Sequence, residues 1–241
     1  MPKGFLSKIR NGIKDLKPGR ILYYPGCMTK YGLVDVFNNY KSLLTDIGID
    51  YIMINELKCC GSPLLNAGYK DDFEEIRDKN IKAMKKHSIT KIITNCPHCY
   101  EVFKKHYDFN GVKVEHTTQT LEANKRKLIA ENPEEASYHD PCLLARKNMI
   151  IKEPRAVLAQ TGFKLEEPFR ARKRTFCCGA GGGVKQNSPK IANKIARQRL
   201  RQLKTRKIIV ACPYCYVHLR ENVDIKSKKK IVEISKTLTE D

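Results

Sequence analysis

The chain repeats one cysteine pattern twice, and all ten of its cysteines belong to that pattern. Each copy has a single cysteine, then Cys-Cys-Gly after a gap of 31 or 34 residues, then Cys-Pro-x-Cys after a further gap of 34 or 32 residues. The segment K-I-I-T-N-C-P-H-C-Y at residues 91–100 aligns with K-I-I-V-A-C-P-Y-C-Y at residues 207–216. Self-similarity at a fixed period predicts two copies of one structural unit.

Short apolar segments precede the cysteines in both copies. I-L-Y-Y, which starts at Ile21, and A-S-Y, which starts at Ala136, are predicted strands that each end just before a cysteine. The two K-I-I segments have the pattern of buried strands and lead into the Cys-Pro-x-Cys motifs. Each half therefore has a first and a last predicted strand, and each of these strands leads into a cysteine motif.

Helical segments lie between these strands. Residues 34–47 and 153–161 each end at a glycine that can close a helix. Asp72 and Glu75 predict a capping box, and Ser188 followed by proline predicts the start of the matching helix in the second copy. The order β-α-β-α-β-α predicts an α/β fold of two pseudo-symmetric duplicated halves, each a small, mostly parallel sheet with flanking helices.

The predicted domains are a basic amphipathic N-terminal extension at residues 1–19, a first half at residues 20–122 and a second half at residues 123–241. The extension could lie on a membrane or partner, although such helices more often pack on their own domain. No segment approaches the ~20 apolar residues of a membrane span, and the N-terminus lacks a secretory signal. The predicted location is the cytoplasm, and membrane association through a partner is an alternative.

The 46 Lys and Arg residues against 26 Asp and Glu residues give a formal net charge of +20. Nucleic acid or an anionic membrane surface is one interpretation of this charge. The basic clusters carry no interleaved aromatic residues, which favours an ordinary solvated surface. A third interpretation is steering of an acidic redox partner.

Open α/β sheets gather their ligands at the carboxyl ends of their strands, so the cysteines of each half should converge there. Ten cysteines in a reducing compartment indicate metal binding rather than disulfides. Zinc needs four thiolates and remains an alternative, whereas each half offers five, which suits an iron-sulfur cluster better. The candidate metal ligands are Cys27, Cys59, Cys60, Cys96, Cys99, Cys142, Cys177, Cys178, Cys212 and Cys215, with Gly61 and Gly179 as candidate cofactor-binding glycines.

Over residues 20–222 this doubled pattern resembles the tandem CCG-domain, or cysteine-rich domain, family. That family includes the B and D subunits of heterodisulfide reductase and the iron-sulfur subunits of lactate, glycolate and glycerol-3-phosphate oxidising systems. The resemblance implies a non-cubane 4Fe-4S cluster in each half, with the five matching cysteines as ligands. It also implies an oxidoreductase, either an enzyme or a subunit of one.

Two activities follow from the resemblance. The first is reduction of a small disulfide, and the second is electron relay, for example in a 2-hydroxy acid oxidising complex. The chain has no C-x2-C-x2-C-x3-C-P segment, so we expect electrons to come from a flavoprotein or ferredoxin-like partner. A zinc-stapled module that binds nucleic acid is the alternative from another class of protein.

Disulfide reduction predicts an open cleft between the two cysteine groups, with basic side chains at its mouth for anionic thiols. Lys58, Arg146 and Lys147 are the cations expected there. His98 and His139 lie within or beside the cysteine motifs. Each could donate to a cluster sulfur or move a proton, but the plainer interpretation is a supporting or partly exposed structural residue.

Overall fold

The computed structural model describes residues 19–129 and 133–238 and contains two parallel four-stranded sheets. The first sheet has the order β2-β1-β3-β4, with β1 at Arg20–Tyr23, β2 at Tyr51–Ile52, β3 at Ile89–Thr94 and β4 at Lys113–His116. The second has the order β6-β5-β7-β8, with β5 at Glu135–His139, β6 at Lys164–Leu165, β7 at Lys207–Val210 and β8 at Lys230–Glu233. The matching orders confirm the predicted duplicated α/β fold.

Helices connect the strands in both halves. The first half has α1 at Val34–Asp46, α2 at Ser62–Ala67, α3 at Lys70–Lys86, α4 at Pro97–His106 and α5 at Thr117–Ala123. The second half has α6 at Lys152–Gln160, α7 at Val184–Asn187, α8 at Pro189–Gln202 and α9 at Pro213–Glu221. A π-helical turn follows the first cysteine of each half, at Met28–Gly32 and Leu143–Lys147.

The two halves share a continuous apolar core. Buried side chains of α1, such as Val36 and Leu44, belong to the same packed cluster as Leu158 and Ile209 of the second half. The contacts across this interface are reciprocal. Helix α4 contacts the π-helical turn of the second half, and α9 contacts the π-helical turn of the first half. The cysteine motifs of the two halves therefore lie on either side of one pseudo-symmetric interface.

A buried carboxyl group joins the halves beside this core. The Tyr40 hydroxyl of α1 donates to Glu233 Oε1 at 2.7 Å, and Ser235 donates to the other oxygen of the same carboxyl group. Glu233 is fully buried, and burial raises its pKa to about 7. The exposed ion pair between Asp35 and Lys236 lies at the same interface. Polar as well as apolar contacts therefore fix how the halves pack.

One local prediction, the capping box of Asp72 and Glu75, was wrong. No side-chain cap forms at α3, which begins at Lys70, so Asp72 lies inside the helix instead of capping it. The start of α8 after Ser188 agrees with the prediction, with proline in its first turn, but Ser188 makes no side-chain cap. Strands β4 and β8 and helix α5 were not predicted. The extension at residues 1–19 lies, except for Gly19, outside the described residues.

Within the described ranges, no helix combines the length and the apolar character that crossing a membrane requires.

Candidate metal centres

Adjacent parallel strands deliver two cysteine motifs of each half to the same edge of its sheet. Strands β1 and β3 are hydrogen-bonded neighbours, so Cys27, which follows β1, lies close to Cys96, which follows β3. Strands β5 and β7 place Cys142 and Cys212 in the same way. Cys96 and Cys212 are also the residues immediately before α4 and α9, each of which starts with proline. Parallel pairing alone thus brings sequence-distant cysteines together.

The first cysteine group consists of Cys27, Cys59, Cys60, Cys96 and Cys99. Hydrogen bonds join the thiol of Cys59 to the thiols of Cys27 and Cys60. The thiol of Cys99 is hydrogen-bonded to the thiols of both Cys60 and Cys96. The five side chains therefore form one connected set, in which Cys27 is exposed and the last three are buried.

The second cysteine group consists of Cys142, Cys177, Cys178, Cys212 and Cys215. Cys177 Sγ lies 3.8 Å from Cys142 Sγ, and Cys215 Sγ lies 3.3 Å from Cys178 Sγ. The thiol of Cys212 is hydrogen-bonded to the thiol of Cys215, which connects the last of the five cysteines to the group. All of these thiol hydrogen bonds join cysteines of the same half, so the two groups are separate.

The two groups nevertheless lie close enough to influence each other. Charge on Cys96 contributes to raising the pKa of Cys212, although burial is the larger cause. Between them, the rings of His98 and Tyr214 lie 4.8 Å apart, centroid to centroid. Both residues occupy the variable position of a Cys-Pro-x-Cys motif. The pseudo-symmetric interface therefore packs the variable residues of the two motifs against each other, with their rings tilted at 45°.

Backbone N–H groups point at several of the thiols. Gly179 N lies 3.3 Å from Cys177 Sγ, and the N–H of Gly61 makes the equivalent bond to Cys59. In the first turn of α4, backbone N–H groups donate to Cys96, and the start of α9 supplies one to Cys212. Helix N-termini and N–H donors stabilise the thiolate, which is the form that binds metals.

Hydrogen bonds from neighbouring thiols lower the pKa of Cys60 and Cys96 in the first group and of Cys178 in the second. Cys60 accepts hydrogen bonds from Cys59 and Cys99, which lowers its pKa to about 5. Cys178 accepts from Cys177 and Cys215, and its pKa also falls well below the usual value. Each group thus holds at least one thiol that ionises readily, and its other thiols can lose their protons when a metal binds.

The two candidate glycines adopt a left-handed backbone conformation, with φ of +85° at Gly61 and +91° at Gly179. A Cβ at Gly61 would lie 2.4 Å from the Phe73 ring, and one at Gly179 would lie 2.9 Å from the carbonyl oxygen of Ala192. The crowding comes from the helices α3 and α8, so the backbone conformation and its packing require glycine at both positions.

A pocket of about 460 Å³ opens on the first cysteine group and touches all five of its cysteines. Its opposite wall comes from the second half, through residues 180–183, Gln186, Asn187 and Tyr214. A Cβ at Gly181 in this wall would lie 3.4 Å from His98 Cε1. The glycine-rich segment after the second Cys-Cys pair therefore encloses the site of the other half.

The expected shared cleft with basic residues at its mouth is not what the structure contains. The cysteines that line this pocket all belong to the first group, and none of its described lining residues is Lys or Arg. Lys58 lines a different pocket, of about 360 Å³, which reaches Cys27 and Cys59 from another side. Arg146 hydrogen-bonds the thiol of Cys142, and Lys147 is exposed on the same turn. The three cations therefore surround the cysteine groups without lining one cleft.

Three buried donors beside the second cysteine group lack hydrogen-bond partners among the described residues. They are Tyr138 Oη, His139 Nε2 and Arg199 Nη2. A nitrogen of His139 lies within 4.8 Å of both Cys178 Sγ and Cys215 Sγ. Because an unsatisfied buried donor is costly, this arrangement fits a site that binds an acceptor-rich group.

Sequence reasoning weighed His139 but missed Tyr138 and Arg199. Arg199 is fully buried in α8, on the same face as Ala192 and Ala196. Its helical spacing from these two alanines puts a charged residue on the apolar stripe of the helix. That conflict between charge and position was the available signal.

The fold and the two cysteine groups together define a duplicated α/β protein with paired candidate metal centres. The family model described as "Cysteine-rich domain" (CCG) matches residues 21–104 and again residues 136–220. The chain therefore belongs to the CCG cysteine-rich domain family, with two copies of the domain.

Named relatives of the chain are subunits or members of redox systems. It is 30% identical to the B subunit of "Fumarate reductase (CoM/CoB)" of Methanothermobacter marburgensis, over 92% of this chain and 45% of the relative. It is also 30% identical to the D subunit of "Dihydromethanophenazine:CoB--CoM heterodisulfide reductase" of Methanosarcina acetivorans, over 96% and 60% of the two chains. A third relative, at 30% identity over 96% and 35%, is "Probable iron-sulfur-binding oxidoreductase FadF" of Bacillus subtilis. The chain spans less than two thirds of each of these three relatives.

Among solved structures, an Asp/Glu racemase from Yersinia pestis aligns over 90% of this chain and 94% of its own, with a TM-score of 0.42 and 10% identity. Similarity at that level supports no conclusion about function.

Proposed function

We propose that the chain is an iron-sulfur redox subunit that holds one 4Fe-4S cluster in each half. The observation that carries this proposal is the gathering of five thiols in each half at the carboxyl edge of a parallel sheet. The family membership and the redox names of the relatives support it. The proposed ligands are the first and second cysteine groups, within domains at residues 20–122 and 123–241.

The donor set favours a cluster over zinc. A structural zinc ion takes four ligands in a closed tetrahedron, which would leave one thiol of each group unused. The buried donors beside the second group also require acceptors, and a cluster adds its sulfide sulfurs to the thiolates as acceptors, whereas a zinc ion adds none. A zinc-stapled module that binds nucleic acid is therefore the weaker proposal.

The chain's own residues would hold and insulate the clusters. Thiolates of each group would supply the ligands, and the N–H groups of Gly61 and Gly179 would favour the ionised forms of Cys59 and Cys177. When bound, a 4Fe-4S cluster supplies one-electron transfer. The packed rings of His98 and Tyr214, which are tilted at 45° to each other, would exclude water where the two Cys-Pro-x-Cys motifs meet. The proposed partners are a flavoprotein or a ferredoxin-like subunit, and we keep the cytoplasmic location as a prediction.

The first expected result is a stoichiometry. Anaerobic reconstitution of the full chain should load about eight iron and eight sulfide per chain, because two four-iron clusters require that number. Iron and acid-labile sulfide would be measured against protein concentration. Tight binding of zinc with negligible sulfide, in cells grown anaerobically with ample iron, would contradict the proposal.

We favour reduction of a small disulfide as the activity. The pocket on the first cysteine group has a volume within the range of small-molecule sites, ~300–1,000 Å³. The competing activity is electron relay, as in a 2-hydroxy acid oxidising complex, which needs clusters near a surface but no pocket. The neutral lining of the pocket points to recognition of the substrate by shape and by amides such as Asn187 rather than by charge.

The second expected result separates these two activities. The reconstituted protein, reduced with an artificial donor, should cleave small disulfides, and thiol release would be measured. Blocking the pocket by Gly182→Leu should reduce this rate about tenfold or more. The φ of +65° at Gly182 adds a backbone cost of about 1–2 kcal/mol, but a Cβ there would contact nothing within 4 Å, so the iron content should stay unchanged. Complete inactivity with intact clusters, together with rapid electron exchange with a co-expressed flavoprotein, would establish relay instead.

A further inference from the structure

One hydrogen bond fixes where the proton of a buried histidine lies beside the second cysteine group. Arg199 Nε donates to His139 Nδ1 at 3.0 Å. Arginine has donors only, so Nδ1 must be the acceptor, and the neutral ring carries its hydrogen on Nε2. His139 is therefore an N–H donor at Nε2.

The ring that carries this donor lies beside the second cysteine group. Nδ1 is already occupied, so Nε2 is the nitrogen left to contact a group held by Cys178 and Cys215, whose sulfurs lie within 4.8 Å of the ring. Nε2 is buried and has no partner among the residues that the structure describes. Metal-site residues often depend on partners of this kind for their orientation.

Arg199 is itself held rigidly in position. Its Nη1 donates to the carbonyl of Arg170 at 2.8 Å and to Gln202 at 3.0 Å. Its remaining nitrogen, Nη2, is a second buried donor without a partner in the described chain. A buried cation and an N–H donor thus lie together beside one cysteine group.

The first cysteine group differs at the matching position. The offset that aligns Cys27 with Cys142 aligns Tyr24 with His139. The Tyr24 hydroxyl donates to the carbonyl of Lys58 at 2.9 Å, so its proton is already used. Tyr23, which aligns with Tyr138, likewise donates to Asn95 at 3.2 Å. The extra donors therefore belong to the second group.

We propose that His139 Nε2 donates a hydrogen bond to a sulfur of the second site and that Arg199 is the positioning residue that fixes this tautomer. The inference rests on the proposed function. Hydrogen bonds to cluster sulfurs and nearby positive charge favour the reduced state. The second site consequently has a higher reduction potential than it would have without these donors.

The test compares full-length, iron-loaded variants by redox titration with electron paramagnetic resonance. The signal of the second site would be assigned by its loss in Cys178→Ala/Cys215→Ala. In His139→Phe, we expect the one-electron reduction constant of the second site to fall about tenfold, which corresponds to a fall of about 59 mV in its reduction potential. His139→Gln, which keeps an N–H donor, should lower the potential of the second site less than His139→Phe does. Arg199→Lys should likewise lower that potential less than Arg199→Met does. Tyr24→Phe is the matched control and should leave both potentials unchanged.

A second measurement does not depend on iron. Nitrogen NMR of the metal-free chain should show His139 protonated at Nε2 and not at Nδ1, and Arg199→Met should abolish that preference. A proton on Nδ1 would overturn the inference directly. A chain that binds no iron would overturn the proposed function, whereas iron-loaded variants with unshifted potentials would overturn only the role of His139. If His139→Phe does not fold, Arg199→Lys and the tautomer measurement decide.

Discussion

Replacing Cys60 and Cys99 together with alanine is expected to remove about half of the iron that the full chain takes up. The two thiols are hydrogen-bonded to each other, and both residues are 3% exposed. They also link the other cysteines of the first cysteine group into one connected set. Three thiols would remain, fewer than the four that a cluster or a zinc ion normally requires. Iron and sulfide per chain would be measured after anaerobic reconstitution.

The duplication supplies the matched control. Cys178→Ala/Cys215→Ala should remove the other half of the iron, and combining both pairs should remove nearly all of it. Each double variant should keep the spectrum of the site that it leaves intact. Loss of all iron from either pair alone, with the fold retained by circular dichroism, would mean that the ten cysteines form one centre and would contradict two independent sites.

Gly61→Ala is expected to destabilise the metal-free chain by about 3 kcal/mol. A left-handed backbone costs a residue with a Cβ about 1–2 kcal/mol. The new Cβ would also lie 2.4 Å from the Phe73 ring, and such overpacking costs about 1–3 kcal/mol. Denaturant unfolding of the metal-free protein would measure the change without a contribution from metal loss.

Gly68→Ala separates these two causes. Gly68 has a φ of +87°, close to the +85° of Gly61, but a Cβ there would meet nothing within 4 Å. It should therefore cost only about 1 kcal/mol, the backbone part of the effect. Equal losses at the two positions would show that contact with α3 is not what selects glycine after the first cysteine pair.

The cysteine groups were predictable because parallel topology converts sequence position into spatial position. Once I-L-Y-Y and K-I-I were interpreted as neighbouring strands, Cys27 and Cys96 had to lie at the same edge of the sheet. Edge strands β4 and β8 were missed because K-V-E-H and K-I-V-E are short and carry charges within the apolar pattern. Hydrogen bonding to a central strand, which is a tertiary contact, determines their conformation.

The arrangement of the halves could not be predicted from local patterns. The wall that residues 180–183 contribute to the pocket on the first cysteine group depends on packing between residues far apart in the chain. The expectation of basic side chains at a shared cleft failed for the same reason, since position beside a cysteine says nothing about which pocket a side chain faces. Arg146 illustrates this, because it contacts Cys142 but does not line the pocket on the first cysteine group.

The reciprocal packing of α4 and α9 against the π-helical turns has an evolutionary consequence. A protein made of one such half would have to pair with an identical copy to enclose its own cysteines, and every substitution would then alter both sites equally. Fusion of two copies into one chain removes that constraint. Tyr24 and His139 can then diverge, and two sites that began as equivalents can acquire separate roles.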